Sequence, residues 1–188
     1  VAVELPEAAR DVIATGLGRL KRDQPSARWV RPEGMHLTLR FLGKRPEGFV
    51  AELDRTAAPA LAALPVVRVR LGGGGFFPNG HRPRVAWVGG EADGLERWVR
   101  AVDDAAASLG VERESRPYSP HLTLARLERP WGVQAVEHFR VEVGKWHLPE
   151  FEAHEAMLFR SELTPAGPVY TALRRWRAGV GGGDGDGA

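Results

Sequence analysis

Histidine and threonine recur in one local frame at two places in this 188-residue chain. His36-Leu37-Thr38-Leu39 and His121-Leu122-Thr123-Leu124 are the same tetrapeptide, 85 residues apart. An unperturbed imidazole titrates at about 6.5, so near neutral pH one ring can accept a proton while a second, charged ring gives one. The threonine hydroxyls can donate hydrogen bonds to phosphate oxygens. One His-x-Thr tripeptide needs no function, because threonine favours strands. Two identical copies, both in strand-like stretches, are harder to explain by strand preference alone.

Residues 36–42 and 121–127 alternate in polarity, and successive strand side chains point to opposite faces. His36 and Thr38 therefore share one face, and Leu37, Leu39 and Phe41 the other. His121 and Thr123 repeat this against Leu122 and Leu124. The leucines anchor each strand in a core and leave the polar pair facing a cleft or water. If two such strands face each other, two imidazoles converge from opposite sides.

The rest of the chain supplies elements to hold these strands. Residues 1–5 read as a short buried strand, and Pro6 opens a helix, where its missing N–H costs nothing. Ala9, Val12, Ile13, Leu17 and Leu20 continue it at helical spacing. Trp29-Val30 is a short extended piece. Residues 47–62 form an amphipathic helix with Phe49, Val50, Leu53 and Leu61 inward. Residues 66–71 and 85–88 read as strands, with 72–78 as the loop between them. Leu95, Trp98, Val99, Val102, Ala106 and Leu109 mark the clearest helix, and residues 133–139 another. Residues 151–163 and 169–176 read as paired strands around a turn at 164–168. The tail from Gly179 is mostly glycine and aspartate and is expected to be disordered. Strands and helices in mixed order with hairpin-like connections predict an α+β fold with largely antiparallel sheets. No low-complexity linker divides the chain before residue 178, so residues 1–178 are expected to form a single domain.

Composition narrows the function classes. The chain has no cysteine, which excludes disulfides, thiol catalysis and cysteine-ligated metal sites. No apolar run approaches the ~20 residues that span a bilayer, and the opening residues lack a basic segment followed by an apolar one. A cytoplasmic, cofactor-free protein is expected. Lys21, Lys44 and Lys145 are the only lysines among 26 basic residues, set against 24 acidic ones. Arginine's planar fork suits phosphates. The simpler reading of the bias is a GC-rich coding sequence, so the charge permits a nucleic-acid partner without demanding one.

The paired motifs and their flanks resemble the 2H phosphoesterase superfamily, named for two H-x-[TS]-x motifs. More narrowly they resemble the bacterial RNA 2′,3′-cyclic phosphodiesterases, also called 2′-5′ RNA ligases. The resemblance spans about residues 1–177. It rests on VAVELP at the start, HLTLRFLG at 36–43, PRVAWVG at 83–89, SPHLTLAR at 119–126 and LFRSELTPAGPVYTALRRW at 158–176.

That resemblance implies two pseudo-symmetric lobes, each an antiparallel sheet lining a central cleft with helices outside. It implies metal-independent hydrolysis of a 2′,3′-cyclic phosphate at an RNA end, or on a small nucleotide, to a 2′-phosphomonoester. His121 would be the base that activates water, and His36 the acid that protonates the leaving O3′. Thr38 and Thr123 would hold the non-bridging oxygens, and Arg126 would bind phosphate. Run backwards, the same site would join a cyclic end to a 5′-hydroxyl in a 2′-5′ linkage. A monomer without cofactor is expected.

Parity sets a condition on Arg126. It lies five residues after His121, so a regular strand would aim it at the opposite face; a strand end, a bulge or a curling side chain is required. Arg40 shares parity with His36 and can line the cleft. Phe77 and Tyr118 are loop aromatics that could offer a stacking surface for a base, whereas Phe41 has core parity. The alternative is a binding module of the same fold that grips RNA or nucleotides without turnover.

Other signals fail. Gly72 to Gly75 lack the Lys-Ser/Thr of a P-loop, and His154-Glu155 is followed by Leu158 where a zinc-protease motif needs histidine. His81, His138, His147 and His154 show no ligand spacing. Ser161 has no acid–base partner near it in sequence, and no G-x-S-x-G is present.

Overall fold

The computed structural model describes residues 1–46, 48–164 and 167–179. The glycine-rich tail beyond Gly179, and Pro165-Ala166 of the expected turn, lie outside the described residues. Along the chain run β1 (Ala2–Glu4), α1 (Glu7–Asp23), β2 (Arg28–Trp29), a 3-10 turn at Pro32–Gly34, β3 (His36–Thr38), α2 (Phe49–Ala62), β4 (Val67–Phe77) and β5 (Val85–Glu91). Then follow α3 (Leu95–Ser108), β6 (His121–Arg126), α4 (Val133–Gly144), β7 (Phe151–Ala153), β8 (Glu155–Thr164) and β9 (Gly167–Arg177).

The strands form two antiparallel sheets, ordered β3-β1-β8-β9 and β2-β6-β5-β4-β7. Each contains one HLTL strand. The fold is α+β with two lobes, and the chain's first and last strands both belong to the four-stranded sheet. Helix α2 packs on β9 and against α3, while α4 packs on β4 and against α1. The burial pattern explains why. In α1, Ala9, Ile13, Leu17 and Leu20 form one buried stripe. In α3, Leu95, Trp98, Val102 and Ala106 do the same. Trp176 Nε1 donates to Asp54 Oδ1 at 2.6 Å, tying β9 to α2.

Four local readings differ from expectation. The glycine run at 72–75 is not a loop: β4 continues through it to Phe77, with a register shift between Leu71 and Gly74. Residues 151–163 are two strands rather than one. β7 pairs with β4 and β8 with β1 and β9, so the chain changes sheets at His154. The first motif strand stops at Thr38 instead of continuing to Leu42. The N–H groups of Leu39 and Arg40 both reach the carbonyl of Val1, where strand β1 has run out. Alternation ends there too, so Phe41 is 73% exposed rather than in the core.

Candidate active site

Both motif strands bury their leucines and half-expose their polar residues: Leu37, Leu39, Leu122 and Leu124 are buried, and His36, Thr38, His121 and Thr123 are intermediate. Strands β3 and β6 belong to different sheets, yet their Cα atoms come within 8 Å of one another. The two motif strands thus meet at the junction of the lobes.

His121 Nδ1 lies 2.9 Å from the carbonyl of Ser119, two residues upstream. A carbonyl can only accept, so Nδ1 carries the proton and Nε2 is left for a ligand. Burial pushes the His36 pKa below the usual imidazole value.

Aromatic rings flank both histidines. His36 stacks on Phe159 of β8 at 5.8 Å between centroids and 26° between planes, and meets Tyr170 of β9 edge-on at 4.8 Å. His121 meets Phe77 of β4 edge-on at 4.8 Å, with Trp87 of β5 at 6.4 Å. Trp87 sits opposite Thr123 across the β5–β6 ladder. Its indole lies over Gly75 and Gly89: a Cβ at Gly75 would fall 2.2 Å from the ring, and one at Gly89 2.9 Å. Gly75, the last glycine of the run that reads as a loop, leaves the space the indole occupies. Sequence reasoning missed Trp87, Phe159 and Tyr170. Alternation within β5 puts Trp87 on the face opposite buried Ala86 and Val88, and that signal could have found it. For Phe159 and Tyr170 no local signal exists, since only long-range pairing of β1 with β8 brings them beside His36.

Arg126 meets the parity condition through a bulge. Trp87 pairs with Thr123 and Ala86 with Ala125, so Leu124 is the extra residue on β6. Leu124 and Ala125 are both buried, and Arg126 emerges exposed on the side of His121 and Thr123. Phe77 is exposed at the end of β4, beside His121.

Two expected ligand contacts do not survive. Arg40 is no free cation in the cleft. Its Nε donates to Asp103 Oδ1 of α3 at 2.7 Å, and its other nitrogens donate to the carbonyls of Phe41 and Glu112. Tyr118 packs against the hydrophobic core with its hydroxyl buried and unpartnered, and burial pushes its pKa up. It is a packing residue and not an open platform. Among the described residues no three His, Asp or Glu side chains gather as a metal site would require, and no helix is long and apolar enough to cross a membrane.

The LigT-like phosphoesterase family model matches this chain twice, over residues 3–87 and 88–170. The chain belongs to that family. The two matches divide it so that each contains one HLTL motif, as the two-lobed geometry does. It is 32% identical over 178 residues to the RNA 2′,3′-cyclic phosphodiesterase of Methanothermobacter thermautotrophicus, covering 94% of this chain and 96% of that one. It is 35% identical over 190 residues to the protein of the same name from Thermus thermophilus, covering 93% and 87%. The crystal structure of TT0787 of Thermus thermophilus superposes with a TM-score of 0.75 at 31% identity, over 94% of both chains.

Proposed function

We propose that this LigT-like phosphoesterase hydrolyses 2′,3′-cyclic phosphates at RNA ends or on small nucleotides to 2′-phosphomonoesters. The observation that carries the reading is the pair of His-x-Thr motifs on touching strands of different sheets, with the ring N–H of His121 held by the carbonyl of Ser119. Breaking the P–O3′ bond needs water deprotonated on one side of phosphorus and O3′ protonated on the other. Two histidines supply both without a metal. In this reading His121 accepts the proton of water through Nε2, and His36 gives one to O3′. Burial weakens the hold of His36 on its proton, and an arriving phosphodiester anion restores it. Thr38 and Thr123 donate to the non-bridging oxygens where charge builds in the transition state. Arg126, returned to this face by the bulge, neutralises the phosphate. The names of the relatives support the substrate class.

The test is turnover of a nucleoside 2′,3′-cyclic phosphate in EDTA, with the product identified. Release of the 2′-monophosphate, lost on His36→Ala or His121→Ala by about 10²- to 10⁴-fold, is the expected result. Binding without turnover in the unaltered protein would make the chain a binding module. Abolition by EDTA would require a metal. Mixing a cyclic end with a 5′-hydroxyl strand at high concentration tests the reverse 2′-5′ ligation.

A further inference from the structure

Arginines gather at one corner of the five-stranded sheet, in a chain whose 26 basic and 24 acidic residues nearly balance. At the end of β6, Arg126 lies directly across from Arg28 of the edge strand β2. The next residue, Leu127, donates its N–H to the carbonyl of Arg84 at 2.9 Å, and Arg84 in turn donates to the carbonyl of Phe77 at 2.8 Å. Arg82 and Arg129 each lie two residues from that Leu127–Arg84 link. All five side chains belong to exposed residues. The one carboxylate in these segments, Glu128, pairs with Arg28 at 2.7 Å. Among the described residues Arg82, Arg84, Arg126 and Arg129 join no ion pair.

Like charges placed together without counter-ions repel, and exposed guanidinium forks match phosphate oxygens two at a time. The corner is also continuous with the cleft. Strand β6 runs from His121 in the cleft to Arg126 at the corner, and Phe77 offers an exposed ring beside His121. Clustered cations beside an open aromatic face are the equipment for a single nucleic-acid strand.

We propose that this corner is a track for the sugar-phosphate backbone upstream of an RNA 3′ end whose terminal phosphate lies between His36 and His121. This deepens the hydrolase reading and rests on it for the position of that end. The protein then favours single-stranded oligoribonucleotides over mononucleotides, through Arg28, Arg84 and Arg129 and not through the reacting groups.

The experiment compares kcat/KM for a nucleoside 2′,3′-cyclic monophosphate and for an oligoribonucleotide ending in the same group, at low and high salt. The unaltered protein should prefer the oligonucleotide by about tenfold or more at low salt, and the preference should shrink as salt rises. The double variant Arg84→Glu, Arg129→Glu should erase the preference while leaving the mononucleotide rate within about twofold, since phosphate contacts outside the cleft act on the strand alone. No preference in the unaltered protein, or an equal fall on both substrates, overturns the proposal. If neither substrate turns over, the hydrolase reading has failed separately. The track is then judged by binding of a 3′-hydroxyl oligoribonucleotide: salt-sensitive binding lost in the double variant supports it, and salt-insensitive or absent binding overturns it. Equal competition by polyglutamate would also overturn it, because the corner would then read charge alone.

Discussion

Arg40 Nε and Asp103 Oδ1 lie 2.7 Å apart, with side-chain exposures of 10% and 12%. The bond joins the chain just past the first HLTL strand to helix α3. Asp103 is the one charged residue that α3 buries, and Glu114 N–H also donates to it, at 3.4 Å. Removing one partner leaves the other buried charge poorly compensated: Asp103 keeps a 3.5 Å contact with exposed Arg113, and Arg40 keeps two carbonyls and Glu114 at 4.0 Å. Arg40→Met or Asp103→Leu alone should therefore cost roughly 3–5 kcal/mol, whereas the double replacement should recover much of that loss. Urea denaturation of the two singles and the double would check it. Because Arg40 is committed to Asp103, activity per folded molecule of Arg40→Met should stay within about twofold, the scale of rim effects rather than of lost transition-state contacts. A fall as large as that of the histidine variants would return Arg40 to the cleft.

That pair also shows which parts of the site were legible in sequence. Period-two alternation identifies which faces of the HLTL strands are buried, and the same rule sets the condition that the β6 bulge satisfies for Arg126. Alternation predicts nothing once a strand ends, which is why Arg40 and Phe41 were misplaced: their surroundings come from α3, 63 residues away, and from the end of β1. A glycine run reads as a loop because glycine weakens strands. Here its lack of a side chain makes room for Trp87 on one side, and for Phe139 at Gly74 on the other. The change of sheet at His154 leaves no trace in the local pattern, since no turn residue separates the two strands.

Gly75 gives the next prediction. Alanine there would put a methyl group 2.2 Å from the Trp87 indole, while Gly72 has nothing within 4 Å of an added Cβ. Gly75→Ala should cost about 1–3 kcal/mol, the usual range for overpacking. It should also displace the ring that lies opposite Thr123 and near His121, with a loss in kcat/KM of up to about 100-fold. Gly72→Ala should change neither. Thermal melts and steady-state kinetics on the pair suffice, and a silent Gly75→Ala would mean that Trp87 does not position the site.

Acid should destabilise the fold through His36. Its folded pKa is depressed by burial below the value near 6.5 that it has in the unfolded chain. Between those two pH values the unfolded state binds more protons, so stability rises with pH there. The contribution is fully present above about pH 6.5 and is lost as pH falls through the folded pKa of His36. Urea midpoints should drop between pH 7 and pH 5, and His36→Asn should drop less. The same depression bears on kinetics. Whichever imidazole is the donor, the lower of their two pKa values cannot exceed that of His36. The acid limb of kcat/KM should accordingly lie below about pH 6.5. A limb centred above pH 7 would contradict both statements.

If His36 and His121 act on one phosphorus, their contributions cannot be independent. Proton removal from water without proton delivery to O3′ leaves the reaction stalled at a charged intermediate, and delivery without removal leaves no nucleophile. Removing either imidazole should thus forfeit most of what both supply. The double variant His36→Ala, His121→Ala should be slower than either single by less than about tenfold, as for groups that act as a unit. Two rings that served separate steps or separate ligands would instead give losses that multiply. Single-turnover rates for the two singles and the double, at saturating cyclic nucleotide and fixed pH, distinguish these outcomes. Multiplied losses would mean that the imidazoles of β3 and β6 do not share a transition state, although their strands touch at the junction of the lobes.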